Sequence, residues 1–275
     1  MLLLVMGNSR WHWGCVDGGE LVATWDLPPA GDDGLPLGHG PVNRGRLDLN
    51  SLVLGEPIHS WDLLAQHQWP LYYASVTPQY QAGIQHHPQA QAVTTSMVPL
   101  GGLYPTLGVD RALNLWGGGA AQGWPLLVID GGTALTLSGA DQEGRFAGGL
   151  ILPGLGLQFR SLGQGTAKLP DLSQGQAWRS WVVHQHYWHH STPEAIVNGV
   201  IQGVLLALGG FMRDWCDRYP HSRIYLTGGD GDFLAQSLHQ SPWALGRSIP
   251  APIYDPHLTL KGLQRLVIPQ VLDPL

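Results

Sequence analysis

Short apolar runs separated by glycine-rich turns recur in two parts of the chain. Residues 126–129 form a run of branched apolar side chains, which predicts a buried strand. Two more extended segments follow at residues 134–137 and 146–152, with glycine-containing turns between them. The pattern therefore predicts a three-stranded meander over residues 125–156.

The first turn of this meander carries Asp130, Gly131, Gly132 and Thr133. Glycines let the backbone approach a ligand closely and present its N–H groups. A threonine hydroxyl can donate to a phosphate oxygen, and a carboxylate can hold a cation that screens phosphate charge. An ordinary hairpin turn is the alternative interpretation, because Asp-Gly and Gly-Gly pairs are common in tight hairpins.

The first 25 residues repeat this pattern, with an apolar strand, a glycine-containing turn at residues 6–9, a second strand, a Gly-Gly turn and a third strand. When the two stretches are overlaid, Val5 falls opposite Asp130. A repeat of this size predicts two similar domains, each opening with a meander. Two such turns facing each other would clamp a nucleotide phosphate chain. This is the α/β, actin-like arrangement (ribonuclease H-like) of acetate and sugar kinases, Hsp70 and actin.

The boundary between the two domains is predicted at a glycine triplet, residues 117–119. The triplet follows a helical pattern at residues 109–115 and is expected to end that helix. The predicted domains are therefore an N-terminal actin-like domain at residues 1–116 and a C-terminal one at residues 117–275.

Composition narrows the class of protein. The chain has 275 residues, is 44% hydrophobic and carries a net charge of −6 without a basic run, which argues against nucleic acid as a partner. The apolar start is too short for a signal peptide, and no stretch is expected to approach a membrane span. The two cysteines, Cys15 and Cys216, do not form a disulfide framework. A reduced, cytoplasmic setting is therefore predicted.

A long helix is predicted at residues 195–216, because a hydroxyl cap, Pro193 and Glu194 open it. It is largely apolar and contains several glycines, so it is expected to pack closely on another helix, within the chain or across a dimer. Just before it lie four histidines, at positions 184, 186, 189 and 190. A metal site is one interpretation, but the spacing matches no zinc pattern and favours a surface loop.

Several short motifs occur in one order along nearly the whole chain, and together they resemble a known family. They are Gly7-Asn8-Ser9, Leu107-Gly108-Val109-Asp110-Arg111, Asp130-Gly131-Gly132-Thr133, Gly148-Gly149 through Pro153-Gly154, Thr192, and Thr227-Gly228-Gly229-Asp230. The chain resembles type III pantothenate kinases, which phosphorylate pantothenate with ATP in the first step of coenzyme A synthesis. The resemblance implies a two-domain actin-like fold and a homodimer with pantothenate near the dimer interface.

The resemblance also implies a role for individual residues. Asp110 matches the acceptor of the substrate hydroxyl proton, and Asp130 matches the ligand of a monovalent cation, potassium or ammonium. Thr133 matches a contact to ATP, which is used with Mg²⁺. The pantothenate contacts that the resemblance implies are Tyr104, Gly108, Val109, Asp110, Arg111 and Thr192. The phosphate-binding turn that it implies consists of Val5, Met6, Gly7, Asn8, Ser9, Arg10, Trp11 and His12.

The chemistry of these residue types agrees with such a role. Phosphoryl transfer needs positioning and charge neutralisation more than covalent catalysis. Asp110 could orient an acceptor hydroxyl and take its proton. Arg111 could hold the carboxylate of pantothenate in bidentate fashion. Taken alone, the Asp110-Arg111 pair would equally fit an exposed charge pair on a helix.

One position departs from the family pattern. The first turn of the family reads Asp-x-Gly-Asn-Thr, and here Val5 replaces the aspartate and Ser9 the threonine. In this fold the first-strand aspartate helps to hold magnesium, which a valine cannot do. Three outcomes stay open: Asp110 and Asp130 carry the metal alone, the enzyme is slow, or the chain is an inactive relative that binds nucleotide or pantothenate in a regulatory role. A kinase for another small hydroxylated acid is a further alternative.

Overall fold

The structure is a computed structural model that describes residues 1–29, 69–77, 84, 88–181, 187–241 and 249–268. The chain divides into two compact units. The first unit consists of Met1–Ala121 with His257–Leu275, and the second of Gln122–Pro256.

The described residues contain ten strands and five α-helices. The strands are β1 Leu2–Met6, β2 Trp11–Asp17, β3 Glu20–Leu27, β4 Leu71–Ser75, β5 Ala90–Ala92, β6 Leu126–Gly131, β7 Ala134–Ala140, β8 Phe146–Pro153, β9 Arg223–Thr227 and β10 Ile253–Tyr254. The helices are α1 Val109–Gln122, α2 Leu155–Gly165, α3 Thr192–Arg218, α4 Gly231–His239 and α5 Leu258–Val267. Short 3₁₀ segments lie at Thr95–Met97 and Gln174–Ser180.

The two units contain sheets of the same topology. The first sheet has the order β3-β2-β1-β4-β5 and the second the order β8-β7-β6-β9-β10. In each, the opening strand pairs antiparallel with its hairpin partner and parallel with a later strand. The predicted meanders and the internal repeat are thus confirmed. Val5 and Asp130 are each the next-to-last residue of the opening strand, in agreement with their predicted equivalence.

Each unit has a hydrophobic core of its own. In the first unit, alternate residues of β1 (Leu2, Leu4 and Met6) point to one face of the sheet and pack with Trp11 and Trp13 of β2. In the second unit, the buried face of α3 packs with residues of β6, β7 and α2.

Helix α1 does not end at the glycine triplet, so that prediction was wrong. The helix continues through Gly117 to Gln122. The reason is close packing between backbones: a Cβ at Gly117 would overlap the Leu258 carbonyl oxygen, and a Cβ at Gly262 would overlap the Leu113 carbonyl oxygen. The triplet therefore serves contact with α5 rather than helix termination. The boundary placed between residues 116 and 117 lies inside α1, and the segment from His257 onwards clusters with the first unit.

Helix α3 is longer and more apolar than the sequence interpretation allowed. It spans 27 residues, and its most apolar window reaches a mean hydropathy of 1.8, enough by length and composition to cross a membrane. The expectation that no stretch approaches a membrane span was therefore wrong. In the structure 61% of that window is buried, and side chains such as Ile201, Leu205 and Met212 form the core of the second unit. The helix is accordingly the central core helix of this unit.

The close contact between α1 and α5 predicts that alanine at position 262 lowers the stability of the protein, which is the opposite of its usual effect inside a helix. A Gly-to-Ala change inside a helix normally stabilises it by about 1 kcal/mol. Gly262→Ala should instead destabilise the protein by about 1–3 kcal/mol, because the new methyl group meets the backbone of α1. Denaturant unfolding measures the change. The control is Gly165→Ala at the end of α2, where the new Cβ meets nothing within 4 Å; it should be neutral or stabilising. Equal stability of both variants would contradict the packing.

Candidate active site

The first glycine-containing turn exposes polar residues to solvent, whereas the strand ends on either side of it are buried. Val5, Met6 and Trp11 are buried at the strand ends, whereas residues 8–10 (Asn8, Ser9 and Arg10) are exposed. The Gly7 N–H donates to the Arg10 carbonyl oxygen at 3.0 Å, which closes the turn. A Cβ on Gly7 would lie 3.0 Å from the same oxygen, so glycine suits this position. The turn therefore offers exposed backbone and side-chain donors.

Two side chains of the predicted phosphate-binding segment share one carboxylate. Arg10 Nη1 donates to Asp26 Oδ2 at 3.1 Å, and His12 Nδ1 lies 2.7 Å from Asp26 Oδ1. Burial raises the pKa of Asp26, but the hydrogen bond and charge of His12 and the charge of Arg10 outweigh it, so the pKa lies below its ordinary value. Sequence reasoning missed Asp26. Its signal was the hairpin register, in which His12 and Asp26 face each other.

Val5 is buried within the first sheet, between two neighbouring strands. It pairs with His12 on one side and Ala74 on the other, and only 4% of it is exposed. The equivalent Asp130 is half-buried. The first unit therefore lacks the carboxylate that the second unit carries at the same point of its sheet.

The segment Gly108–Arg111 leads into helix α1, which begins at Val109, and its residues contact one another closely. Asp110 Oδ1 accepts the Arg111 backbone N–H at 2.8 Å, and Arg111 Nη1 donates to the Tyr104 hydroxyl at 3.3 Å. Gly108 lies against the Asp110 carboxylate so closely that a Cβ there would overlap it. The structure thus brings together Tyr104, Gly108, Asp110 and Arg111, as predicted from the sequence.

The environment of Asp110 favours its protonated form. Burial raises the pKa of the Asp110 carboxyl above its ordinary range, although the Arg111 backbone N–H and guanidinium act to lower it. A carboxyl group with a raised pKa is better matched to accepting a proton near neutral pH than an ordinary surface aspartate.

The first turn and the Asp110 segment lie at one edge of the first sheet. Val76 follows the end of β4, and its N–H donates to the Met6 carbonyl oxygen at 3.1 Å. The Cγ1 atom of the same residue lies 3.9 Å from the Cβ position of Gly108. The predicted phosphate-binding turn and the predicted substrate segment are therefore neighbours within this unit.

In the second unit the turn after β6 is joined to the turn after β9. The Asp230 N–H donates to the Gly131 carbonyl oxygen at 2.7 Å. Gly228, at a φ of +83°, lies so close to the Asp130 carboxylate that any side chain there would overlap it. Because the two turns touch, Asp130 lies at the edge that both of them form.

A basic residue that the sequence did not single out holds the second of these turns. Arg179, in the 3₁₀ segment Gln174–Ser180, pairs with Asp230 and donates from Nη1 to the Gly229 carbonyl oxygen at 2.8 Å. Arg179 and Asp230 are 51 positions apart, so no local pattern revealed the contact.

Thr133 and Thr192 are both exposed, at the ends of elements of the second unit. The Thr133 carbonyl oxygen accepts the N–H of Gly154, the residue before α2, at 3.0 Å. Thr192 is the first residue of α3, and the hydroxyl of the preceding Ser191 donates to Glu194 at 2.7 Å. The helix begins at the predicted Ser-Thr-Pro-Glu segment, but the Ser191 hydroxyl bonds to the Glu194 carboxylate and does not cap the backbone of the helix.

The histidine-rich segment is only partly described. His184 and His186 lie outside the described residues, and His189 Nδ1 lies 4.0 Å from Glu194. Within the described ranges no group of three or more His, Cys, Asp or Glu side chains is placed to hold a metal ion.

A family model and several similar relatives point to the same protein family. A family model described as type III pantothenate kinase matches residues 73–214. A type III pantothenate kinase of Synechococcus elongatus is 38% identical over 274 residues, covering 99% of this chain and 98% of the relative. Those of Nostoc sp. and Gloeobacter violaceus are 37% and 36% identical, covering 97% and 95% of this chain and 94% and 96% of the relatives.

Solved structures agree on the fold. A protein described as a Baf family transcriptional activator from Campylobacter jejuni superposes with a TM-score of 0.58 at 18% identity, covering 97% of each chain. A protein described as a 2-dehydro-3-deoxygalactonokinase from Sinorhizobium meliloti gives 0.53 at 12% identity, covering 96% of this chain and 97% of that one. At these identities the likeness establishes the fold alone, which is the actin-like sugar-kinase type predicted from the repeat. By sequence and fold together, the chain belongs to the type III pantothenate kinase family.

Proposed function

We propose that this chain transfers the γ-phosphoryl group of ATP to the hydroxyl of pantothenate, giving 4'-phosphopantothenate in the first step of coenzyme A biosynthesis. The observation that carries the proposal is the interlocked segment at the start of α1. There the half-buried Asp110 lies beside Arg111 and Tyr104, at the same sheet edge as the first turn. Relatives that cover nearly the whole chain are type III pantothenate kinases.

Asp110 acts as the acceptor of the hydroxyl proton. Its raised pKa places it closer to neutrality than a surface aspartate, and its position at the head of α1 is fixed by the Arg111 N–H. Arg111 holds the pantothenate carboxylate through its guanidinium fork, which Tyr104 orients at 3.3 Å. Gly108 leaves room for the Asp110 carboxylate, and Val109 and Thr192 complete the substrate contacts.

Asn8, Ser9 and the backbone of the first turn contact the phosphates, and Thr133 contacts ATP. Magnesium bound with ATP neutralises phosphate charge, and such a site needs only one or two protein carboxylates beside the phosphates. Asp130 holds a potassium or ammonium ion at the edge formed by the two joined turns. The regulatory alternative is supported by no observation, since Asp110, Arg111 and Asp130 are all retained.

The enzyme acts as a homodimer through the exposed face of α3. Gly199, Gly203, Leu206 and Gly210 follow a helical stripe and are all exposed. Among the residues that the structure describes, none has an atom within 4 Å of a Cβ at any of the three glycines, so the stripe is open for a second backbone to approach. Thr192 begins the same helix, which brings a predicted pantothenate contact to the dimer face.

We place the reaction in the cytoplasm. Cys15 and Cys216 are both free thiols. Burial is the main cause that raises the pKa of each thiol above its ordinary value, so both stay protonated and unreactive at neutral pH.

The proposed reaction is tested by supplying ATP, magnesium and pantothenate and identifying 4'-phosphopantothenate by mass spectrometry. Asp110→Asn keeps the shape of the side chain but removes the proton acceptor, so turnover should fall by about 10²-fold or more with ATP binding little changed. The rate should rise with pH through an apparent pKa above that of an ordinary aspartate, because only the ionised Asp110 accepts a proton.

The matched control for this variant is Asp17→Asn, at the exposed end of β2, which should leave turnover unchanged. Near-normal turnover of Asp110→Asn would remove this residue from the mechanism. Phosphorylation of another hydroxy acid in preference to pantothenate would overturn the assigned substrate.

The cation site predicts a dependence on the monovalent ion. Initial rates should be higher in potassium or ammonium chloride than in sodium chloride at matched ionic strength. Asp130→Asn should raise the potassium concentration needed for half-maximal rate, because an amide holds the ion less strongly than a carboxylate. Equal rates in all three salts would show that Asp130 does not hold such an ion.

The dimer face predicts that a single charge on α3 separates the subunits. A Cβ at Gly203 meets no atom of the described residues within 4 Å, so the fold should persist in Gly203→Glu, but the longer, charged side chain would block the approach of a second helix. Light scattering should give twice 29.8 kDa for the wild type and 29.8 kDa for the variant, which should lose pantothenate binding. Gly165→Glu on α2 is the control and should stay dimeric. A fully active wild-type monomer would refute the assembly.

A further inference from the structure

Arg179 is built into the core of the second unit rather than lying loosely on its surface. The preceding Trp178 is 3% exposed and packs against Phe159 and Phe233, with ring centroids 5.4 and 5.5 Å apart. The Arg179 guanidinium carbon lies 5.0 Å from the centre of the Trp178 ring. The face of the Trp178 indole therefore stabilises the Arg179 guanidinium through a cation–π contact.

From this position the guanidinium contacts two consecutive residues of one short turn. Nη1 donates to the Gly229 carbonyl oxygen at 2.8 Å, and Nη2 pairs with the Asp230 carboxylate. The Asp230 side chain is 9% exposed, and that of Arg179 is 33% exposed. A nearly buried carboxylate without a cation would be costly, so this pair fixes the turn as well as neutralising it.

The same turn is connected to the predicted nucleotide site. The backbone of Asp230 bonds to Gly131, and Gly228 lies against the Asp130 carboxylate. The Asp230 carbonyl oxygen accepts the Leu234 N–H at 2.9 Å in the first turn of α4. Movement of the 228–230 turn would therefore displace both Asp130 and the start of α4.

We propose that Arg179 is a positioning residue for the nucleotide, a role that rests on the proposed kinase function. It clamps the Gly228-Gly229-Asp230 turn against the Asp130-Gly131 turn, and it cancels the charge of Asp230. Without it, the negative charge of Asp230 would no longer be cancelled next to the Asp130-Gly131 turn and would repel the phosphates of ATP. Lysine cannot replace it fully, because one ammonium group does not span a carbonyl and a carboxylate with the planar fork of arginine.

The test compares Arg179→Met, Arg179→Lys and the double variant Arg179→Met/Asp230→Asn with the wild type. KM for ATP and KM for pantothenate are measured separately with kcat, and binding of a non-hydrolysable ATP analogue is measured by calorimetry. Thermal unfolding establishes that each protein is folded. Arg160→Met, which removes an exposed arginine from α2, is the control and should leave ATP binding unchanged.

Arg179→Met should raise KM for ATP and the Kd of the analogue by about 10-fold, one factor of ten being about 1.4 kcal/mol. KM for pantothenate should stay within twofold. Arg179→Lys should fall between this variant and the wild type, and the double variant should recover part of the loss because the negative charge of Asp230 is gone. This pattern would distinguish nucleotide positioning from simple stabilisation, which lowers the melting temperature without separating the two KM values.

Analogue affinity and KM for ATP within twofold of wild type in folded Arg179→Met would overturn the proposal. So would an equal rise in both KM values. If the wild type bound the analogue in an Arg179-dependent way but did not phosphorylate pantothenate, the proposed function would fail while the role of Arg179 in nucleotide binding would stand.

Discussion

The close approach of backbones at the ends of strands is the constraint on which this structure depends. In the second unit the Gly131 carbonyl oxygen accepts the Asp230 N–H at 2.7 Å, and Gly228 lies against Asp130 with no space for a side chain. In the first unit Gly108 lies against Asp110 in the same manner. These glycines bring carboxylates and backbone donors to one edge of each sheet, which is what the recognition of phosphate groups requires.

The repeat is symmetric in topology but not in charge. Both sheets have the same strand order, yet the opening strand ends near Val5 in one unit and near Asp130 in the other. Phosphoryl transfer depends on neutralising charge on the phosphates. We propose that in this chain the task falls to magnesium, to Asp130 with a monovalent cation, and to the exposed donors of the first turn, while Asp110 receives the proton.

The sequence predicted those features that depend on local pattern. Apolar runs and turn residues gave the meanders, and the register between them gave the equivalence of Val5 and Asp130. The sequence did not predict features that depend on contacts between residues far apart in the chain. The triplet starting at Gly117 looked like a helix end because the contact with α5, more than 140 positions away, was not visible. The contacts of Asp26 and Arg179 were not predicted for the same reason, since only strand pairing and tertiary packing bring these residues to their partners.

We propose that position 5 lies at the metal and that the enzyme works with a valine there. It is tested most directly by titrating magnesium against rate for the wild type, Val5→Asp and Val5→Asn. Val5→Asp should reach half-maximal rate at a lower magnesium concentration than the wild type, with a lower melting temperature because a buried polar group is costly. Val5→Asn should share the loss of stability without the gain in metal use. A normally folded Val5→Asp with unchanged magnesium dependence would contradict the claim.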